Sequence, residues 1–407
     1  MREFRIAAIQ VFTNAALFGA GIFIPLLAKN DLNPGAGDFE IGVLVAAYGI
    51  SLFISSYVFG RAADIHGRKR YLQVGLFVSG LACLIQVYTP NFLSLMLARV
   101  ILGLCGGIFP SALAAYAYER GVRMGKFTSH SALGFGSGAI MASLIVYYWG
   151  ATGHPLGRSI YNPVFVGCAL MFFACFALLL TLPFGHEKRH KVPLIPRKII
   201  RDNLPIYISF LIRHTGACAV WAFFSLFIYI LQPADTPQHV KFFWVGIING
   251  VNGMGQFIFM QCIDRYRSRT LIFAGFIFSA ITFAIFLFVT NIAQLVLSQV
   301  ALAAAWSCLY VGSITIVMEK NPEHATSAGI LGSTVNGAQI LGPLLGGVVA
   351  SAFASMSVKI GGWTLGGSEI AGYRGIMFFA LVMALVALAV FYYSVKRESR
   401  KEDRKNG

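Results

Sequence analysis

The sequence predicts an all-α integral membrane protein, with twelve transmembrane helices in two pseudo-symmetric six-helix bundles. Three observations carry that prediction. The 407 residues are 57% hydrophobic and only 12% charged, with mean hydropathy +0.71, a balance too apolar for a water-soluble globule of this length. Twelve apolar runs are each long enough to cross a bilayer core, which takes roughly 20 helical residues because lipid offers no partner for backbone N–H and C=O. The two halves also echo each other at a fixed offset of 200 residues.

In chain order the runs are Ile6 to Leu27, Ile41 to Gly60, Leu72 to Tyr88, Phe92 to Tyr118, Leu133 to Trp149, Val164 to Leu182, Ile206 to Leu231, Phe242 to Cys262, Leu271 to Val289, Leu295 to Met318, Ala328 to Ala352 and Gly375 to Val395. Arg2 and Arg5 before the first run imitate a secretory leader, but no small-residue cleavage site follows, so the run reads as a span. Orientation follows from the basic residues. Of the 32 Lys and Arg, twenty-five fall in segments that share a side with the termini and five (Lys29, Arg158, Lys241, Lys359, Arg374) in the opposite loops. That bias puts both termini in the cytoplasm of a cell that carries this protein in its plasma or inner membrane.

The repeat is seen in Asp64 against Asp264, Glu119 against Glu319, Arg120 against Lys320, Thr13-Asn14 against Arg213-His214 and Arg99 against Gln299. Several matches at one offset predict two six-helix halves related by an axis along the membrane normal. Residues 1–184 then form the N-terminal bundle, 185–204 a basic proline-containing cytoplasmic linker, 205–395 the C-terminal bundle and 396–407 a basic cytoplasmic tail.

A net charge of +16 would suggest nucleic acid in a soluble protein. Here the charges sit in short clusters between apolar runs, as loops facing an anionic leaflet do, without interleaved aromatics, so nucleic acid is set aside. The seven cysteines are odd in number, lie in or beside apolar runs and show no CxxC spacing, and read as small hydrophobes.

Polarity sorts the helices. Spans six, nine and twelve are nearly free of polar side chains and should face lipid. Buried polar groups need a partner or water, so Gln10, Asn14, Arg99, Arg213, His214, Gln299, Trp306, Tyr310, Asn336 and Gln339 are the candidates for lining a central substrate cavity. Arg99, alone at depth, costs about 2.5–3.5 kcal/mol on insertion scales and should face water or a partner. Arg213, about 12 Å into its span at 1.5 Å per residue, could snorkel to the headgroups or point into the cavity. If both arginines reach the cavity, a cargo carrying negative charge or strong acceptors is preferred. His214 reads as a hydrogen-bonded neutral histidine or, less favoured, a titrating group. Trp306 and Tyr310, at i and i+4, could wall an aromatic or apolar cargo or simply pack.

After span two stands Gly60-Arg61-Ala62-Ala63-Asp64-Ile65-His66-Gly67-Arg68-Lys69-Arg70. Gly60 permits close helix approach, Asp64 can accept from a helix N-terminus or an arginine, Gly67 turns the chain, and Arg68 and Lys69 are expected to hold the inner leaflet. This string resembles the loop signature of the major facilitator superfamily, and Arg99 followed by Gly103, Gly106 and Gly107 resembles that family's fourth-helix motif. The resemblance implies alternating access by two rocking bundles. It also implies a cytoplasmic lock in which Asp64 and Glu119 pair with nearby basic residues, with Asp264, Arg265 and Glu319 as a counterpart lock. The family's proton antiporters pair the fourth-helix arginine with a helix-one carboxylate, and span one here has no Asp or Glu. Gly342-Pro343 in span eleven resembles the bend that antiporters carry in span five; at this position it suits, with Gly246 and Gly250, the seam between the halves.

The function expected is therefore secondary or facilitative transport of a small organic solute, anionic or amphipathic, by a monomer with no cofactor. Its partners are that solute, a coupling ion where transport is driven, and the bilayer. A non-transporting membrane sensor on the same fold needs a sizeable soluble segment, and the linker and the tail after Val395 are short. An intramembrane metal-dependent hydrolase rests only on the HExxH string His186-Glu187-Lys188-Arg189-His190, which lies in the basic linker without an apolar helix face or third ligand. No GxxxxGK[ST] loop points to ATP.

Overall fold

The computed structural model describes residues 2–152, 158–183, 193–263, 265–360, 363–366 and 368–406. Among them twelve helical stretches are long and apolar enough to cross a bilayer: Glu3–Asp31, Asp38–His66, Arg68–Tyr88, Phe92–Glu119, Met124–Ala151, Ser159–Leu180, Leu204–Leu231, Gln238–Ile263, Ser268–Phe288, Ile292–Lys320, His324–Ser355 and Glu369–Arg397. Each coincides with an expected span, and most run a few residues further at their ends. The extra turns are polar, and a helix satisfies its own backbone beyond the hydrocarbon edge as readily as within it. The last helix runs on to Asn406, so the tail continues a helix instead of forming a separate segment.

Two spans are interrupted where glycine and proline meet. The first is α-helical over Arg2–Gly19, turns, and resumes at Ile24–Leu26 with Pro25 in its first turn. The fourth breaks between Phe92–Gly106 and Pro110–Glu119. In each case glycine disfavours continuation, and proline, which lacks an N–H, fits the start of the next helix. Pro343, by contrast, lies inside the helix His324–Ser355. An antiparallel pair of strands, Ser357–Ile360 and Trp363–Gly366, joins the last two spans.

The offset of 200 recurs in three dimensions. Asn91 caps the fourth span by accepting from Ser94 N–H, and Asn291 caps the tenth by accepting from Gln294 N–H. Gly75 lets span three approach Phe109, and Gly275 lets span nine approach Leu309; a Cβ at either would sit 2.9 or 2.6 Å from its neighbour.

Spans one to six meet spans seven to twelve along two seams. Span two runs against span eleven: a Cβ on Gly42 would lie 2.6 Å from the Pro343 carbonyl oxygen, one on Gly49 2.8 Å from the Gln339 carbonyl, and one on Gly60 3.0 Å from the Ala325 carbonyl. Span five runs against span eight, where a Cβ on Gly253 would lie 2.4 Å from Gly136 Cα and one on Gly246 2.7 Å from the Ala139 carbonyl. Backbones this close gain dispersion contact over their whole length, the means of helix association left when lipid removes the hydrophobic drive. The linker is tied to the first half: Tyr116 and Arg120 donate to the Pro183 carbonyl at 3.0 and 3.1 Å, Arg61 donates to that of Pro193 at 3.1 Å, and Tyr57 donates to that of Leu194.

Candidate functional site: a gated seam and its aromatic centre

At the end of the molecule that carries both termini, span two and span eleven are joined by a carboxylate. Asp64, 1% exposed, accepts from the Thr326 backbone N–H and hydroxyl, both at 2.7 Å. Thr326 lies in the first turn of span eleven, where free N–H groups and the helix dipole favour an anion. The turn that brings Asp64 there needs Gly67, whose φ of 95° suits glycine. Arg68 is also buried. It bonds to Asp64 at 3.3 Å and to Glu119, and Glu119 lies 3.7 Å from His324 of the second half. Arg68 is thus an internal member of this network, a correction to its expected place on the inner leaflet; two carboxylates reach it before any phosphate can. Lys69 is exposed.

Of the three residues expected to form the counterpart lock, two are described. Asp264 lies outside the described residues, Arg265 donates to the Cys262 carbonyl of its own helix, and Glu319 is exposed. The HExxH string also lies outside the described residues, and among those described no group of three His, Cys, Asp or Glu is placed to hold a metal.

At the opposite end Lys29, in the last turn of span one, bonds to Asp38 at 2.9 Å, to Tyr373 at 3.1 Å and to Glu369, joining spans one, two and twelve. Phe23 packs edge-on against Phe242 of span eight, with ring centroids 5.3 Å apart. Both ends of the seams are therefore in contact in this conformation.

Between these ends the candidate cavity residues form separate groups. In span one Gln10 donates to Ser131 of span five, and Asn14 donates to the Gln10 carbonyl. Span one packs on spans five and six through Val11, Asn14, Ala15, Gly19 and Ile9, and Phe18 lies one turn on from Asn14. Phe18, 45% exposed, meets Phe135 of span five edge-on at 4.5 Å, and Phe135 meets Trp221 of span seven at 5.9 Å. This aromatic bridge between the halves was not among the sequence candidates.

Arg99 is buried with its guanidinium 4.0 Å over the Tyr48 ring and close to Gly21, and its Nε and Nη1 make no hydrogen bond. Arg213, 1% exposed, neither snorkels nor enters a shared cavity. Its Nε donates to Ser279 of span nine at 2.7 Å, and Phe283 and Trp306 pad it. Beside it His214 stacks on Trp306 at 4.9 Å, and Trp306 stacks on Tyr310 at 5.1 Å with ring planes 12° apart. Gln299 accepts from Asn252 of span eight at 3.0 Å, and Asn252 in turn accepts from Gln256. Asn336 and Gln339 lie on the seam with span two, where Asn336 donates to Ser56 at 3.0 Å.

A family model described as Major Facilitator Superfamily matches residues 6–260 and 243–407. The chain belongs to the Major Facilitator Superfamily. Among members of that superfamily it is similar to Multidrug resistance protein MdtG of Salmonella dublin, 23% identical over 327 residues that cover 75% of this chain and 77% of the relative. It is also similar to Multidrug resistance protein 2 of Bacillus subtilis, 28% identical over 52% of this chain, and to an MFS-type transporter of Methanocaldococcus jannaschii, 25% identical over 36%. Those two alignments span only 55% and 40% of the relatives' own lengths. Two solved structures share the fold: the nucleoside transporter NupG, TM-score 0.68 at 14% identity over 96% of this chain and 99% of NupG, and a bacterial homolog of the lysosomal transporter Spinster, TM-score 0.67 at 12% over 97% of each. The chain is thus a multi-pass membrane protein of a transporter family and not an enzyme.

Proposed function

We propose that this superfamily member carries a small amphipathic, ring-bearing organic solute across the cell membrane by alternating access, with both termini and the Asp64 loop in the cytoplasm. The observation that carries the reading is the pair of glycine-lined seams with a separate polar clasp at each end, Asp64 to Thr326 on one face and Lys29 to Glu369 on the other. Close-packed backbones let the halves rock, and each clasp can be released while the other holds. Residues 1–184 and 205–395 act as the two moving bodies.

The cargo class follows from the centre. Phe18, Phe135 and Trp221 offer ring faces and edges, while Arg99 and Arg213 are held inside their own bundles, which weakens the case for an anionic cargo. The drug-resistance names among the relatives and the nucleoside transporter among the solved structures point the same way, toward flat solutes with polar edges. The test is flux in proteoliposomes, with and without a pH gradient, of uridine, norfloxacin and ethidium, after a thermal-shift screen of the same compounds. Flux above that of protein-free liposomes for at least one is expected; none above background, with no thermal shift, refutes the reading.

A further inference from the structure

Arg213 and His214, neighbours in sequence, both meet Trp306 but differ in their other contacts. Arg213 turns inward to Ser279, whereas His214 shares a helical face with Trp221, seven residues on, and Trp221 touches Phe135 of the other half. Arg213 Nη1 lies 3.5 Å from His214 Nδ1. A guanidinium can only donate, so Nδ1 must present its lone pair, and the ring proton of a neutral imidazole then sits on Nε2. No described residue bonds to Nε2, and it is absent from the buried unbonded atoms, so this atom keeps some exposure although the residue as a whole is only 6% exposed.

The ring has no carboxylate beside it among the described residues. Phe210, Trp306 and, beyond it, Tyr310 line the His214 side, Ser279 of span nine reaches Arg213, and the Cys218 thiol lies one turn on along span seven, where span eleven packs through Gly342. Among the described residues no carboxylate pairs with Arg213 or His214, so a second positive charge beside the guanidinium would stand unneutralised in a low dielectric.

We infer that His214, held by its stack on Trp306, is a fixed neutral donor that offers Nε2–H to an acceptor on a flat cargo, and that Arg213 is the positioning residue behind it. The carrier then recognises a carbonyl oxygen or ring nitrogen at this point, and His214 does not shuttle protons. The inference deepens the transport reading and rests on it for the word cargo; its spectroscopic test does not.

The full chain is placed in nanodiscs with the other seven of its 8 histidines replaced, and the His214 ring nitrogens are followed by 15N NMR from about pH 5.5 to about pH 8, a range that brackets an ordinary histidine near 6.5. The neutral Nε2–H form is expected throughout, retained in Arg213→Lys, whereas in Arg213→Gln, whose amide can accept as well as donate, the Nδ1–H tautomer also appears. An imidazolium at the acid end of the wild-type series, or an Nδ1–H tautomer in that series, overturns the inference; should Arg213→Gln fail to fold, the wild-type and Arg213→Lys series decide it. The Nε2–H 15N resonance is expected to move when at least one of uridine, caffeine and nalidixate is added. No movement with any of the three overturns the acceptor site. Absence of flux alongside the expected spectra would fault the transport reading and leave the donor in place.

Discussion

Asp64 and Thr326, 262 positions apart in the chain, meet across the two halves through two hydrogen bonds of 2.7 Å that end on one carboxylate oxygen. The first is charge-assisted and points along the span-eleven dipole, the geometry in which a carboxylate contributes most.

Asp64→Asn keeps the shape and removes the charge. A hydrogen bond to a charged group contributes about 1.5–3 kcal/mol, so the joined face should open roughly tenfold or more often. In a background without native cysteines, a cysteine at Ala328 should react faster with a cytoplasmic thiol reagent in the Asn variant, while the amount of protein in the membrane stays the same. Equal reactivity would leave Asp64 a packing residue.

Gly253→Val tests the seam between spans five and eight. The new side chain would enter with its Cβ 2.4 Å from Gly136 Cα, and overpacking of that kind costs about 1–3 kcal/mol. A fall in the detergent melting temperature and a larger fall in flux are expected; the pair Gly136 and Gly253 is not a sliding contact if both hold at parental values.

At the other end Lys29→Met removes the cation shared by Asp38 and Glu369. These groups are partly exposed, and such pairs contribute only about 0.2–1 kcal/mol. The effect should accordingly be a few-fold rise in labelling of a cysteine at Gly347, reversed when Lys29→Glu is combined with Glu369→Lys. Failure of the swap to restore the parental rate would assign the Lys29 effect to Tyr373 and Asp38 alone.

Trp221→Ala and Phe18→Ala each remove one ring of the central bridge. An aromatic pair contributes about 0.5–1.5 kcal/mol beyond its area, which corresponds to an apparent KM about two- to tenfold higher for a flat substrate. The maximal rate should change less than KM if the rings bind cargo, and more if they act in the rocking step.

How much of this could be read beforehand divides along physical lines. All twelve spans were legible, because hydrocarbon thickness imposes length and apolarity on every one of them. The Asp64 loop was legible too, since a carboxylate flanked by Gly60 and Gly67 has few uses. The breaks at Gly19 to Phe23 and Gly107 to Phe109 carried a signal that hydropathy alone hides, namely Pro25 and Pro110 following glycine. Side-chain direction was the part least accessible. Arg213 and His214 differ by one position and thus by about 100° around the helix, and only packing against Ser279 and Trp306 shows which looks inward. Asn252 and Gln256 carry a signal that the sequence candidates do not use, since i, i+4 spacing puts both on one face of span eight. Phe18 and Phe135 had no polarity to draw notice, and their role comes from a partner on the far side of the molecule.

The ties that fasten Pro183, Pro193 and Leu194 to Tyr116, Arg120, Arg61 and Tyr57 make the connector a passenger of one half. Its effective leash is the short stretch from Ile195 to Leu204, much of it already coiled in Arg197–Asp202. A leash that short works as a travel stop, capping how far the halves can part on that face; cutting the ties would lengthen the stroke before it altered what the carrier holds.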